Sequence, residues 1–132
     1  MRLTTKSTFA TNILLDLALH AEQGPVSLQS VAHRHGVSQS YLEGLFASLK
    51  QAGLVSSVRG PGGGYVLGRP LGAISLADIS RAVEPHIADQ ERGADDPASA
   101  LTAQLYQTYS QQLMQALEAI CLRDVQAGLK PA

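Results

Sequence analysis

The most evident chemical feature of the chain is the glycine-rich stretch RGPGGGYVLGR, which runs from Arg59 to Arg69. Bare loops flanked by positive charge can cradle phosphate through backbone N–H groups. The phosphate-binding loop of nucleotide hydrolases is excluded, because no Gly-Lys-Ser/Thr follows and no helix begins there. The dinucleotide fingerprint is excluded because Tyr65 stands in the place of its third glycine. The stretch therefore predicts a β-hairpin with strands at residues 54–58 and 65–67.

Metal, redox and catalytic chemistry find little support in the residue types and their spacing. The histidines at positions 20, 33 and 35 do not form a metal-binding set by spacing. The one cysteine, Cys121, is either a small buried hydrophobe or a redox switch, for example by bridging two subunits. No Ser-His-Asp arrangement in a recognisable context and no cofactor loop is present. We therefore expect no enzyme activity, no metal and no cofactor.

Length and composition fit one domain, or one small domain with an appendage. The chain has 132 residues, of which 45% are hydrophobic, so it can bury a core. No apolar run approaches the roughly 20 residues that span a bilayer, and the opening MRLTTKSTFATN is too polar for a signal peptide. We expect a cytoplasmic, nucleoid-associated protein with no membrane partner. Residues 1–70 carry a net charge of +3 and residues 71–132 a net charge of −4, which suggests an anionic partner for the first half.

Apolar periodicity and capping residues predict two helices at the start of the chain. The first begins after Thr4 or Thr5 and runs to about Ala21. The second is short, begins after a Ser27 cap and stops at Gly36. Because Gly-Pro separates the two helices, they are distinct elements rather than one.

A third helix follows closely and completes a recognisable unit. The turn Gly36-Val37-Ser38 precedes it, and Gly53 stands at its C-terminal end. Gly36 supplies the positive φ that such a turn needs. Helix, three-residue turn, helix and β-hairpin together predict a winged helix-turn-helix domain over residues 1–84. The predicted buried face of the third helix is Leu42, Leu45, Phe46 and Leu49.

The second half of the chain is predicted to hold a short helix and a long one. Ser75 caps the short helix, residues 85–96 are a polar loop, and Asp96-Pro97 is a strong helix start. With no glycine or proline before Gly128, we expect one helix over residues 97–127, about 45 Å long, with a tail at 128–132. The fold class is therefore mainly α, with a small β-hairpin wing and a long C-terminal helix.

An apolar stripe on the long helix predicts a partner. A helix of that length extends beyond an 85-residue domain, and an uncovered stripe would be a liability in water. A two-fold homodimer covers it most economically, while the alternative is that the helix bends back on its own domain. The predicted dimerisation residues are Leu101, Leu105, Tyr109, Leu113, Leu117 and Ile120.

A helix-turn-helix presents the N-terminus of its second helix to base edges in the DNA major groove. Gln39 can pair with adenine, Ser40 can bond a base or a phosphate, and Glu43 can accept a hydrogen bond from the cytosine amino group. Spacing alone leaves Glu43 as either a specificity residue or a solvated one. Arg59 on the wing could enter the minor groove or remain a solvated charge, and Arg69 is a surface residue or a phosphate contact. The predicted DNA-binding residues are Arg2, Lys6, Ser38, Gln39, Ser40, Tyr41, Glu43, Lys50, Arg59, Gly62 and Gly63.

Two stretches carry a specific resemblance: the opening MRLTTKS and SQSYLEGLFASLKQAGLVSSVRGPGGGY at residues 38–65. They resemble the IscR-like (Rrf-type) bacterial transcription regulators, strongly over about residues 1–84 and by pattern only along the long helix. The resemblance implies a homodimer with a winged helix at each end and crossed long helices between. It also implies that Ser40 and Glu43 read the major groove and that Arg59 lies in the minor groove.

The chain departs from this family before the long helix. Many members carry three cysteines there, with further ligands such as histidine, and bind an iron–sulfur cluster. Here the segment PHIADQERGADDPASA has no cysteine, and only His86 could ligate. The sequence thus predicts a DNA-binding regulator that lacks the usual cluster and responds to a small-molecule effector, a partner protein or oxidation of Cys121. The alternative is a winged-helix module that acts through protein contacts and no longer binds DNA.

Overall fold

Six α-helices and a two-stranded hairpin make up the part of the chain that the computed structural model describes, residues 5–84 and 96–128. Predictions on Arg2, on residues 85–95 of the loop and on residues 129–132 of the tail lie outside these ranges. Two short 3₁₀ turns lie at Ala21–Gln23 and Leu71–Ala73. The elements are α1 Thr5–Leu19, α2 Leu28–His35, α3 Gln39–Gln51, β1 Val55–Val58, β2 Gly64–Leu67, α4 Leu76–Val83, α5 Pro97–Glu118 and α6 Leu122–Gln126.

Side-chain caps begin four of the helices where the sequence predicts them. Ser27 accepts from the backbone N–H of Ser30 at the start of α2. Ser38 and Asp96 cap α3 and α5 in the same way. At α4 the Ser75 hydroxyl accepts from the Asp78 N–H, while the Asp78 carboxylate accepts from the Ser75 N–H. Each cap satisfies N–H groups that the first helical turn leaves without partners, so local sequence decides where these helices begin.

The core lies between α1, α3 and α4. Residues Ile13 and Leu14 of α1, Phe46 of α3 and Ile79 of α4 are fully buried, and α4 packs against both other helices. The predicted inner face of α3 is confirmed, since its buried residues are Leu42, Leu45, Phe46 and Leu49. This packing fixes α3 with its opposite face in solvent. The domain is the winged helix-turn-helix that the sequence predicts.

The wing is anchored to the domain by a third extended segment. β1 pairs antiparallel with β2, and Val26, between α1 and α2, pairs with Tyr65 of β2. The N–O distances of this bridge are 2.9 and 2.8 Å. A Cβ atom on Gly64 would lie 2.3 Å from the Val26 carbonyl oxygen, so the approach requires glycine. The ring of Tyr65 also packs against Phe46, with 4.5 Å between the ring centroids. These two contacts stabilise a two-stranded hairpin that would be only marginally stable in isolation.

The long helix ends earlier than the sequence predicts. α5 stops at Glu118, not near residue 127, and spans about 33 Å. The chain then extends: the Ile120 carbonyl accepts from the Leu76 N–H, and the Leu122 N–H donates to the Ile74 carbonyl, both at 2.9 Å. Leu122 is fully buried in the core. These hydrogen bonds with a distant segment end the helix. No glycine or proline marks this end in the sequence.

The predicted dimerisation stripe divides into two parts. Leu101, Leu105 and Tyr109 are 69%, 53% and 59% exposed, whereas Leu117 is 4% exposed, and Leu113 and Ile120 are partly buried. A spacing of four residues advances about 40° around a helix at each step, so the stripe winds from solvent onto the chain's own domain. The Arg81–Glu118 ion pair and the packing of α4 against α5 hold that end. Leu117 is therefore a core residue of its own subunit.

Candidate nucleic-acid interface

The turn between α2 and α3 has the geometry that a helix-turn-helix needs. Gly36 has φ 64° and ψ 35°, in the left-handed region, and ends α2. Its neighbour Val37 donates to the Ala32 carbonyl at 3.2 Å. Ser38 then caps α3 through the Tyr41 N–H at 3.1 Å. Only glycine enters the left-handed region without cost, so Gly36 sets the angle between the two helices.

The N-terminal end of α3 lies in solvent and carries most of the predicted base-contacting groups. Its amide and hydroxyl groups donate and accept hydrogen bonds, while the carboxylate of Glu43 only accepts. The helix N-terminus itself carries partial positive charge, which favours nearby phosphates. The opposite face holds this end rigidly against the core through Leu42 and Leu45. The exposed residues here are Ser38, Gln39, Ser40, Tyr41 and Glu43.

Three rings connect α3 to the elements behind it. Tyr41 lies 5.8 Å from Phe9 of α1 between ring centroids, and Phe9 meets His35 of α2 edge-on at the same distance. Lys6 is exposed on α1. Phe9 thus packs α1 against the first turn of α3, and Lys6 lies one turn before Phe9 on the same helix.

The cations near the wing differ in how firmly they are held. Lys50, at the C-terminal end of α3, donates to the Ser57 hydroxyl of β1 at 2.9 Å. Arg69 donates to the Ala52 carbonyl at 3.3 Å and lies 3.6 Å from the Asp78 carboxylate. Of the two alternatives for Arg69, these contacts favour a surface residue that stabilises the fold.

Arg59 and the wing tip lie in solvent. The Arg59 side chain is exposed and forms no hydrogen bond or ion pair within residues 5–84 and 96–128. Gly62 is exposed with φ 73°, and a Cβ on Gly63 would lie 2.3 Å from the Val58 carbonyl oxygen. The glycines therefore keep the tip thin enough for its backbone to approach another surface closely.

One acidic side chain lies beneath this interface. Asp16 of α1 is buried and is contacted by Arg34, His20 and His35. Burial alone would raise the pKa of Asp16, but hydrogen bonds from Arg34 and the positive charges of Arg34, His20 and His35 lower the pKa below its ordinary value of 3.8. Asp16 is therefore ionised at neutral pH and binds α1 to the end of α2.

The lowered pKa of Asp16 predicts a defined loss of stability in acid. A carboxyl with a depressed folded-state pKa stabilises the fold above its unfolded value, near 3.8, and that contribution is lost as the pH falls through the folded value. We expect Asp16→Asn to be less stable than the parent at about pH 7, with the difference shrinking below about pH 4. Urea unfolding of both proteins across this range measures it. A difference that does not change with pH would contradict the prediction.

Cys121 lies at the break after α5, and not on the long helix as the sequence predicts. Its backbone N–H and its thiol lie 3.1 and 3.3 Å from the Asp124 carboxylate, and these hydrogen bonds, the backbone one first, lower the pKa of Asp124. Reactive cysteines usually have electropositive surroundings, whereas this thiol faces a carboxylate of its own subunit. The geometry gives no support to a redox role for Cys121.

Three residues that shape the interface are missing from the sequence-based predictions: Asp16, Phe9 and Val26. Asp16 has a signal, because a charged residue among Ile13, Leu14 and Leu17 on an apolar helix face indicates a buried ion pair. The spacing of Phe9 predicts only a core residue, and the pairing of Val26 with the wing joins residues distant in sequence.

The described residues hold no group of three His, Cys, Asp or Glu side chains that could bind a metal. Among them, no helix is long and apolar enough to cross a bilayer.

Fold and interface together define a winged helix-turn-helix DNA-binding protein. The chain matches the Rrf2 family, described as iron-dependent transcriptional regulators, over residues 3–128. It is 42% identical to the transcriptional regulator IscR of Xenorhabdus nematophila over 129 residues, covering 95% of this chain and 79% of that protein.

Solved structures agree with the family match. IscR of T. potens is 35% identical with a TM-score of 0.75, covering 98% of this chain and 89% of the other. CymR, the global cysteine regulator of B. subtilis, is 33% identical with a TM-score of 0.76, covering 98% and 99%. The protein belongs to the Rrf2 family of DNA-binding transcription regulators.

Proposed function

We propose that this regulator binds a pseudo-palindromic operator as a homodimer, with α3 of each subunit in the major groove and each wing tip at the minor groove. The observation that carries the proposal is the exposed N-terminal end of α3, together with the exposed Arg59 of the wing, which is unpaired within the described chain. A two-fold dimer matches the two halves of a palindromic site.

Roles follow from the chemistry of each side chain. Ser40 and Glu43 contact bases, with Glu43 accepting from a cytosine amino group, and Gln39 suits adenine. Lys6 and the backbone of Gly62 approach phosphates, which position the protein without specifying sequence. Arg59 enters the minor groove, where negative potential is concentrated.

The dimer is supported by the uncovered half of the α5 stripe. Leu101, Leu105 and Tyr109 of the stripe, and Tyr106 next to Leu105 in the chain, are all more than half exposed. Contiguous apolar surface of this kind usually marks an interface. No charged residue occurs between Asp96 and Glu118, so nothing along the helix opposes contact with an identical helix. We further propose that a small-molecule effector or a partner protein regulates DNA binding.

The donor set does not fit the iron–sulfur site of cluster-binding regulators. Such clusters are held by several thiolates, and this chain has one cysteine. That cysteine, Cys121, contacts its own subunit's Asp124. We propose that DNA binding by this protein does not require an iron–sulfur cluster.

Salt-dependent binding tests DNA recognition directly. The parent protein should bind a random-sequence duplex with an affinity that falls steeply with salt, because displaced counterions drive association. Arg59→Ala should weaken binding and reduce the slope of log affinity against log salt by about one for each phosphate that the protein no longer neutralises. Arg69→Ala is the matched control. Because Arg69 contacts its own domain, the folded part of this variant should show the parental slope. A parent protein that binds no duplex at low salt would overturn the DNA-binding role and favour a protein-interaction module.

Anaerobic reconstitution tests the cluster proposal. After incubation with iron and sulfide, the protein should show no visible cluster absorption and no stoichiometric bound iron, and its DNA affinity should be unchanged. The reason is the absence of enough thiolates in the chain. Cys121→Ser is the control. A stoichiometric cluster that survives this substitution would show that other side chains supply the ligands.

A further inference from the structure

Asp16 lies at the centre of a polar cluster in the described part of the helix-turn-helix domain. Its side chain is 9% exposed, yet it is ionised. The Arg34 guanidinium reaches both carboxylate oxygens, with Nε 3.2 Å from Oδ1 and Nη2 2.7 Å from Oδ2. This paired geometry joins the last turn of α1 to the last turn of α2 and fixes both distance and orientation.

Two imidazoles complete the cluster. His20 Nδ1 lies 2.8 Å from the Asp16 backbone carbonyl and 3.1 Å from Oδ1, and since both oxygens accept, Nδ1 donates. His35 Nε2 is buried, has no hydrogen-bond partner among the described atoms, and faces Oδ2 at 3.6 Å. The groups that face Asp16 are thus His20, directly after α1, and both Arg34 and His35 from α2.

The cluster connects to the reading end of α3 by two routes. His35 directly precedes Gly36, so its position determines where the rigid three-residue turn begins. Its ring also packs edge-on against Phe9, which contacts Tyr41 in the first turn of α3. A change in the placement of His35 therefore reaches the exposed end of α3 through backbone and side chains alike.

We propose that Asp16 is a positioning residue for operator recognition: it holds the end of α2, and through Gly36 and Tyr41 it sets the orientation in which α3 meets the major groove. The inference rests on the proposed docking of α3. Replacing both partners of a buried ion pair by apolar residues often changes stability little, whereas removing one partner destabilises the fold; the pair as a whole can select one arrangement over close alternatives. An apolar residue at position 16 would leave the angle of α2 less strictly determined.

The test compares binding of two duplexes: one selected by the parent protein from a random library, and one random duplex of equal length. Asp16→Asn should lower the ratio of selected to random affinity by about tenfold, comparable to one mismatched base pair. Because this change also leaves Arg34 uncompensated and so attracts DNA generally, the double variant Asp16→Asn/Arg34→Gln restores the charge balance. It should show the same decrease in the ratio.

Ser75→Ala, which removes a helix cap outside the helix-turn-helix, is the control for general destabilisation and should keep the parental ratio. If the double variant keeps that ratio while the parent discriminates, the positioning role is wrong. If Asp16→Asn does not fold, Arg34→Lys decides instead: it keeps the charge but cannot form the paired hydrogen bonds, and an unchanged ratio overturns the proposal. A parent protein that binds neither duplex would instead contradict the proposed function itself.

Discussion

A variant carrying Leu105→Glu and Tyr109→Glu should sediment as a monomer at micromolar concentration and bind the selected operator about 100-fold or more weakly. Both side chains are more than half exposed on α5. Four glutamates brought together in the dimer would be desolvated and would repel one another, so the monomer is favoured. A monomer contacts only one half-site, and without the second half-site the gain from linked binding disappears. Sedimentation and operator binding of the same preparations measure both effects.

The matched control places the same charges on the other side of the same helix. Gln107 and Gln111 are exposed on the face opposite the stripe, so Gln107→Glu with Gln111→Glu should leave the protein dimeric. Circular dichroism checks that α5 remains helical in both variants. A stripe variant that stays dimeric would exclude this face as the interface, and a monomeric parent would overturn the homodimer.

Glu43→Ala should relax sequence specificity while leaving general DNA affinity equal or higher. A carboxylate repels phosphates, so its removal eases non-specific approach. If it accepts from a cytosine amino group, its removal costs about 1–3 kcal/mol of discrimination at that base pair. Glu43 is exposed and its side chain forms no hydrogen bond or ion pair with the described residues, so its substitution is the sharpest single test of base reading. Affinities for a set of operators that differ by one base pair, at fixed salt, measure the change.

Gln51→Ala is the control for Glu43→Ala, because Gln51 is exposed at the far end of α3. It should keep the parental ranking of operator variants. An unchanged ranking for Glu43→Ala would show that Glu43 is a solvated helix residue, which is the alternative that spacing alone leaves open.

Elements governed by neighbouring residues could be predicted from the sequence by itself. Ser38 and Ser75 cap helices because their hydroxyls reach N–H groups three residues away. Gly36 adopts the left-handed conformation because only glycine does so freely. The helix-turn-helix, the wing and the exposed residues of α3 follow from such local rules together with helical periodicity.

The tertiary structure decided the features that join distant segments. α5 ends at Glu118 because the next residues pair with residues 74–76 and bury Leu122. Leu117 belongs to its own subunit because the stripe winds around the helix toward α4. Asp16 faces Arg34 and His35 because α1 crosses the end of α2. Each depends on the energy of interactions between residues far apart in the chain, and local propensities and periodicity contain no information about these interactions.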